Sequence, residues 1–468
     1  MVTVKATGTT TAAAAVAVIG DSNQAPPSHV INFGCGHPDS SLLPAQLVAD
    51  ATQRALLGDH DDSNGREWLQ YARGSGSLPA CQALANFLTE LYYPTNTDTD
   101  TNSNPASREV VEPHTLFFTS GVSHGIQLTC RTLARMHSST KSATEAMGKP
   151  LCLVEDPTYF LVPAIFRQSG YDLQPVLTRR SHGLDVQELQ TILEQIRTKS
   201  PDRLIVLYTI PVHHNPLGAS LSEDDRQTLV RLCETFQLFV IADEVYQGLT
   251  FLDNDAATTI HAPMALRSSR IISVGAFTKI LCPGIRCGWI QTLDTALLEA
   301  IGQDGVLDSG GCSSQLSSGI VMNMMTRHVH DEEEPALATY MTFLQKEYAN
   351  RCRHLCKLLQ DASLDSSTDY GFDFHTPHGG YFLWVTLTGV NFDVDEYFRS
   401  FCRTNHDVDF KTGMSCSSAT SSELTPFAKS MRLCFAFYDV SELTKGVDRL
   451  CRAIQAYAKQ SDRILSSE

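Results

Sequence analysis

Lysine is scarce through the middle of this chain: between Lys199 and Lys346 only Lys279 occurs. No stretch is dense in Lys and Arg, and the formal net charge is −16, which argues against an electrostatic footprint for nucleic acid. No apolar run reaches the length of a transmembrane helix, so no membrane is expected as a partner. There is no internal repeat and no C-x-x-C pair. The fourteen cysteines are scattered, several of them inside apolar stretches. The closest pairs, Cys282/Cys287 and Cys352/Cys356, lack companions at metal-ligand spacing. In so long a chain they read as reduced, buried thiols of a cytoplasmic protein, and no metal site is expected.

What is present fits a soluble enzyme. The 468 residues exceed the usual span of one core and imply two or three domains, with 42% hydrophobic and 19% charged residues. Three stretches are too polar or too simple to pack: 1–28, 95–107 (TNTDTDTNSNPAS) and 413–426 (GMSCSSATSSELTP). The first contains TTTAAAAVAVIG, too thinly basic for a signal or transit peptide, and reads as a mobile arm. Between these stretches, apolar runs alternate with helical patterns, the mark of βαβ units and a largely parallel sheet. The runs are Leu116–Thr119, Leu151–Val154, Leu204–Tyr208, Leu238–Ala242 and Arg270–Val274. From about Pro335 to Asp361 the spacing predicts a helix that buries Tyr340, Phe343, Leu344, Leu355, Leu358 and Leu359. The acidic run Asp331–Glu334 favours its start. Shorter strands at Gly380–Val385 and Met431–Ala436 predict a smaller α+β domain.

Lys279 closes an apolar run, and Arg286 follows a Pro-Gly turn seven residues on. An amine and an anion clamp in one crevice suit a Schiff base to an aldehyde cofactor that carries a phosphate. An exposed loop lysine is the plain alternative. Each of the other runs also ends in polar or special residues, where open α/β sheets gather ligands. TSGVSHG (119–125) opens a helical stretch whose free amides, with Ser120 and Ser123, make an anion cradle. Tyr159 in VEDPTY is placed to stack on a flat ring or to pack in the core. Asn215 sits in an Asn-Pro turn, flanked by His213 and His214. Asp243 follows an apolar run and needs a cation or a proton donor if buried. Arg432, inside MRLCFAF, needs a buried anion; a structural ion pair is the competing account. His378 reads as a turn residue, and Met322, Met324 and Met325 as core.

These motifs, with INFGCGHPDSSLLP, the Tyr71–Gly76 segment, HNPLG, DEVY, FTKILCPGIRCGW, PHGGYFLW and RLCFAF, stand in an order that resembles the class I/II aminotransferases, which are fold type I pyridoxal-phosphate enzymes. The best likeness is to the 2-aminoadipate, kynurenine and aromatic aminotransferases. The likeness spans about Ile31 to Ala436. It implies an α/β fold: a large domain with a mostly parallel sheet flanked by helices, plus a smaller α+β domain. The expected division is an arm at 1–30, a small-domain segment at 31–60, the large cofactor-binding domain at 61–330 and a C-terminal small domain at 331–468.

The resemblance also implies roles. Lys279 would be the Schiff-base lysine and proton shuttle. Asp243 would keep the cofactor's pyridine nitrogen protonated, and Asn215 and Tyr246 would bond its phenolic oxygen. Tyr159 would stack on the ring. Ser120, Gly121, Val122, Ser123 and Arg286 would hold the phosphate, joined by Tyr71 from a neighbouring subunit of a homodimer with shared active sites. Arg432, Gly36 and Asn215 would hold the substrate. The chain departs from the family pattern at Ala276, where a serine usually helps to hold the phosphate, a contact that Thr278 or Ser273 would have to supply. Leu217 replaces a threonine, Ala80 and Cys81 replace Leu-Arg, and the insertion at 413–426 lies just before Arg432.

The expected activity is transfer of an amino group from a long-chain or aromatic 2-amino acid to a 2-oxo acid such as 2-oxoglutarate, by a ping-pong cycle. Two alternatives stand beside it. One is another pyridoxal-phosphate reaction on the same fold: a C–S lyase, decarboxylase or cyclase. The other is a non-catalytic, ligand-sensing domain.

Overall fold

A computed structural model of the chain describes residues 29–58, 65–94, 110–139, 148–251, 260–327, 335–365, 368–418 and 426–465. The N-terminal arm up to residue 28, the 95–107 stretch and the acidic run Asp331–Glu334 lie outside the described residues.

In chain order the strands are β1 (Ile31–Asn32), β2 (Leu116–Thr119), β3 (Leu151–Asp156), β4 (Asp172–Arg179), β5 (Gly183–Leu184), β6 (Ile205–Thr209) and β7 (Phe239–Asp243). There follow β8 (Ile271–Ala276), β9 (Gly288–Gln291), β10 (Gly371–Phe374), β11 (Phe382–Thr388), β12 (Val408–Asp409), β13 (Lys411–Thr412) and β14 (Ser430–Cys434). Eight form one sheet in the order β2-β9-β8-β7-β6-β3-β4-β5. Its centre is parallel, and β9 and β5 run antiparallel to their neighbours. Strands β3, β6 and β8 are buried along their whole length, and β7 from its second residue on. Helices cover both faces, which is why these segments read as unbroken apolar runs. All five predicted strands are present. Strands β4 and β9 were not among them: β4 mixes exposed and buried positions around Pro175, and β9 is four residues long.

A second sheet, β10-β11-β14-β13, is antiparallel, and β1 pairs with β12. The predicted helix runs from Ala336 to Leu364, so it spans about 43 Å. It packs on the C-terminal helix Val440–Leu465 and β10, and also on helix Gln315–Thr326 of the larger sheet's side. Its buried face carries Tyr340, Leu344, Tyr348, Leu355 and Leu359. Phe343 does not belong to that face. It is 48% exposed and leans on the Tyr340 ring, because residue 343 falls a quarter-turn off the 340–344–348 stripe.

The 413–426 stretch is also less solvated than its composition predicts. Gly413 and Cys416 are buried, and Cys416 packs with Leu217, Ala219 and Trp384. The Thr158 amide donates to Cys416 O at 2.9 Å, and the Ser418 amide donates to Asp156 Oδ1 at 2.6 Å. The serines thus supply donors to a buried carboxylate, while residues 419–425 lie outside the described residues. None of the fourteen cysteines is in a disulfide. Among the described residues no helix is long and apolar enough to cross a membrane.

Candidate active site

The ends of β3, β6, β7 and β8 converge with the N-terminus of helix Val122–Ser139 and with β14 around a crevice of about 280 Å³. It is lined by Gly36, Val122, Ser123, Tyr159, Asn215, Asp243, Tyr246, Lys279, Arg286 and Arg432 of the expected set. Ser120 and Gly121 stand beside it, in contact with Arg286. Tyr71 is 79% exposed and is not part of its wall.

Lys279 lies in a four-residue helix, Phe277–Ile280, that caps β8. Its Nζ donates to Gly36 O at 2.9 Å and faces the Tyr381 ring, 4.9 Å from the centroid. Removal from water lowers its pKa from 10.5 to about 8; Arg432 pushes the same way, and Cys434 and Asp243 oppose. An amine in that condition is a usable nucleophile and base near neutral pH.

Asp243 closes β7 within reach of that amine's field. Burial raises its carboxyl from 3.8 to about 6, against the pull of its hydrogen bonds and of Lys279. Tyr208 OH donates to Oδ2 at 2.8 Å, and the Val245 amide donates to Oδ1 at 3.4 Å. Tyr208 was read only as part of an apolar run. Its signal was a hydroxyl-bearing ring in the run one strand ahead of the carboxylate.

Glu155 is a second residue whose role the motifs did not reveal. Fully buried at the end of β3, it accepts from Thr209 Oγ1 and from the Ile210 amide, both at 2.9 Å. His214 Nε2 lies 3.0 Å from its second oxygen. The carboxylate therefore clamps the loop that presents Asn215. His213 Nε2 lies 2.9 Å from Thr250 Oγ1.

Arg286 has φ +47 after the Pro283–Ile285 turn, and its Nη2 donates to Ser120 O at 2.7 Å. Gly121 adopts φ +102, which favours glycine, and a Cβ there would sit 3.0 Å from the same guanidinium. The first helical amides of Val122 and Ser123 have no intrahelical partner, which completes an anion-binding end. The Ser120 amide is committed elsewhere: it donates to His124 Nδ1 at 3.1 Å. Of the two residues expected to offset Ala276, Thr278 lines the crevice. Ser273 does not, because its hydroxyl accepts from the Ala265 amide at 3.0 Å.

Arg432 is 2% exposed. Its Nη1 donates to Asn215 Oδ1 at 2.9 Å and its Nη2 to Gly34 O at 2.8 Å, and it stacks 4.1 Å from the Phe382 centroid. Its Nε has no partner, and among the described residues no carboxylate lies within ion-pair distance. The structural ion pair is therefore not what it serves. A buried guanidinium without an anion is costly unless a ligand supplies one. His37, Phe160, Leu161, Ile210 and Phe382 also line the wall and were not singled out as site residues in the sequence. The donor set fits pyridoxal phosphate: an anion site at Arg286, a buried acid at Asp243, an amine of lowered pKa at Lys279 and an aromatic face at Tyr159.

Comparison with known proteins agrees. The family model for aminotransferase class I and II matches residues 28–450. The aromatic-amino-acid aminotransferase 1 of Thermococcus litoralis is 23% identical over 92% of this chain and 90% of its own length. The 2-aminoadipate transaminase of Thermus thermophilus is 22% identical over 91% of this chain and 90% of its own. The crystal structure of the multiple substrate aminotransferase of Thermococcus profundus superposes with a TM-score of 0.72, at 21% identity, covering 93% of each chain. The chain belongs to the class I and II aminotransferases and is a pyridoxal-phosphate-dependent enzyme of fold type I.

Proposed function

We propose that the enzyme moves an amino group from a 2-amino acid with a long or aromatic side chain to a 2-oxo acid such as 2-oxoglutarate, in a ping-pong cycle. The observation that carries this reading is the unpaired Arg432 guanidinium, buried in the crevice that also holds Lys279. Bound pyridoxal phosphate supplies a carbonyl carbon for the amine and an electron-withdrawing ring. The chain supplies the rest. Arg432 grips the substrate α-carboxylate with its planar fork, helped by Asn215, which orients it. Lys279 would present its amine, of lowered pKa, to that carbonyl carbon, and would carry the proton taken from the substrate Cα. Asp243 would keep the ring nitrogen protonated, with Tyr208 fixing the carboxylate's direction. Tyr246 and Asn215 would bond the phenolic oxygen, and Tyr159 would cover the ring face. Arg286 and the amides of Val122 and Ser123 would hold the phosphate.

The substrate class is supported by the wall itself, where Phe160, Leu161, Ile210 and Phe382 offer apolar surface, and by relatives named for aromatic amino acids and 2-aminoadipate. A homodimer with shared sites is supported by the exposure of Tyr71 beside Leu69 (67%) and Leu78 (64%), surface that a second copy would cover. Fourteen cysteines, none in a disulfide, suit the cytoplasm.

The test is the visible absorbance of the purified holoenzyme through additions of single amino acids and then 2-oxoglutarate. Loss of the cofactor's long-wavelength band with a donor, and its return with the oxo acid, is the expected result. A band that shifts without loss would replace transamination by a lyase, decarboxylase or sensing role.

A further inference from the structure

Beside Arg432 lies a second cation that the reading above does not use. Lys411 on β13 is the register partner of Arg432 on β14. Their side chains therefore leave the same face of the sheet, with Cβ atoms about 5 Å apart. Lys411 is 8% exposed, yet among the described residues its ammonium meets no carboxylate and no hydrogen-bond acceptor. The nearest acid in sequence is already committed: Arg399 takes both oxygens of Asp409, at 2.6 and 3.2 Å, and Arg403 stands 3.8 Å away. What Lys411 does touch is a wall of the crevice. Its Nζ lies 4.9 Å from the centroid of Phe160, and that same ring lies 5.8 Å from the Arg432 guanidinium. A Cβ on Gly34, another wall residue, would stand 3.5 Å from Lys411 Cγ, so the lysine stem runs directly behind the wall.

Its stem is buried and its ammonium has no charged partner; the one contact it makes, with the Phe160 ring, is weak beside a carboxylate. Burial lowers its pKa, and Arg399 and Arg432 press the same way. The corner carries more positive charge than the protein neutralises.

We propose that Lys411 is a specificity residue that receives the distal carboxylate of a dicarboxylic substrate while Arg432 holds the α-carboxylate, with Phe160 as the movable ring between the two uses of the site. With an aromatic or long apolar side chain in the crevice, Phe160 covers the ammonium and offers its face to the substrate. With an acidic side chain, the ring turns aside and the four-carbon lysine arm reaches the carboxylate. One crevice thus serves an apolar donor and an acidic acceptor, as a ping-pong enzyme requires. The inference rests on Arg432 holding the α-carboxylate.

The experiment is calorimetric titration of the holoenzyme with glutarate and with 3-phenylpropanoate, for the wild type and for Lys411→Met, Lys411→Gln and Lys411→Arg. Met and Gln are expected to weaken glutarate by at least about tenfold while leaving 3-phenylpropanoate within about twofold, and Arg to retain glutarate binding. Equal losses for both ligands, or no loss for glutarate, would overturn the proposal. If Lys411→Met does not load cofactor, Lys411→Gln, which removes the charge but keeps a polar end, carries the comparison. Neither probe has an amino or oxo group, so the outcome is independent of turnover. A holoenzyme that separates the two ligands but never loses its visible band with amino acids would sink transamination and leave Lys411 in place. One that transaminates without separating them would do the reverse.

Discussion

The two arginine-bearing ends of the crevice are built by different means. At the Arg286 end the anion site is made largely of backbone: a left-handed turn residue, a glycine at positive φ, and the open amides of a helix. The guanidinium is itself tied to Ser120 O. At the Arg432 end the site is made of side chains from a small antiparallel sheet, with Nε left open and aromatic rings on either side. The first end thus owes its shape to backbone geometry, although the Arg286 side chain itself is exposed, and the second owes its shape to side-chain packing around a buried guanidinium. The difference matches what each must hold: one constant phosphate, as against a succession of side chains. Rigid scaffolding belongs where the ligand never changes.

The sharpest way to break this comparison is at the residue between the two ends. Lys279→Ala is expected to lower turnover by roughly three orders of magnitude or more, because Lys199 and Lys346 do not line the crevice and Lys411 stands behind its Phe160 wall, at the Arg432 end. The anion end is intact in this variant, so the cofactor still binds, without a covalent tie. Turnover within tenfold of wild type, in a steady-state assay, would mean that another group does the chemistry. The next effect in size is at the adaptable end. Arg432→Ala should weaken amino-acid and oxo-acid binding by about 2–5 kcal/mol. Cofactor absorbance should survive, since no part of the backbone-built end depends on it. A loss of cofactor in this variant would show that the two ends are coupled and the contrast is false.

The same contrast explains what was legible in the sequence. The central strands announced themselves because helices bury both faces, while β4 did not, with Asp172, Gln174 and Pro175 breaking the run. Lys279, Asp243 and Arg432 stood out as single charges in apolar surroundings. Glu155 and Tyr208 did not, although both lie in segments that had been singled out. Their meaning depends on partners far along the chain: Glu155 on Thr209 and His214, Tyr208 on Asp243. Lys411 is the extreme case. Nothing near it in sequence marks it, and only the β13/β14 register brings it beside Arg432. Phe343 and the buried Gly413 and Cys416 fail in the opposite sense, since local composition was followed where packing decided.

The smallest effect sharpens the claim that the cofactor end is prepared in advance. Asp243 is held near a pKa of about 6, against 3.8 for an ordinary aspartate, because its carboxylate is buried before the ligand binds. The sign of the consequence follows from linkage. Below pH 3.8 the group is protonated whether the chain is folded or not, and its contribution to stability is complete. As pH rises through about 6 the folded chain must ionise a buried carboxyl, and that contribution is lost. The gap corresponds to about 3 kcal/mol at neutral pH. Asp243→Asn keeps the shape and the Tyr208 hydroxyl as a partner but carries no charge. In the apo-enzyme it should therefore raise the melting temperature at pH 7.5, and the gain should vanish by pH 4. In the holoenzyme the sign should reverse, because the asparagine cannot hold the ring nitrogen's proton and the ligand no longer compensates the site. Thermal scans of both forms at both pH values check this. An apo-enzyme that is less stable with asparagine at pH 7.5 would mean that Tyr208 and Lys279 already satisfy the carboxylate, and that the cofactor end is at rest without its ligand.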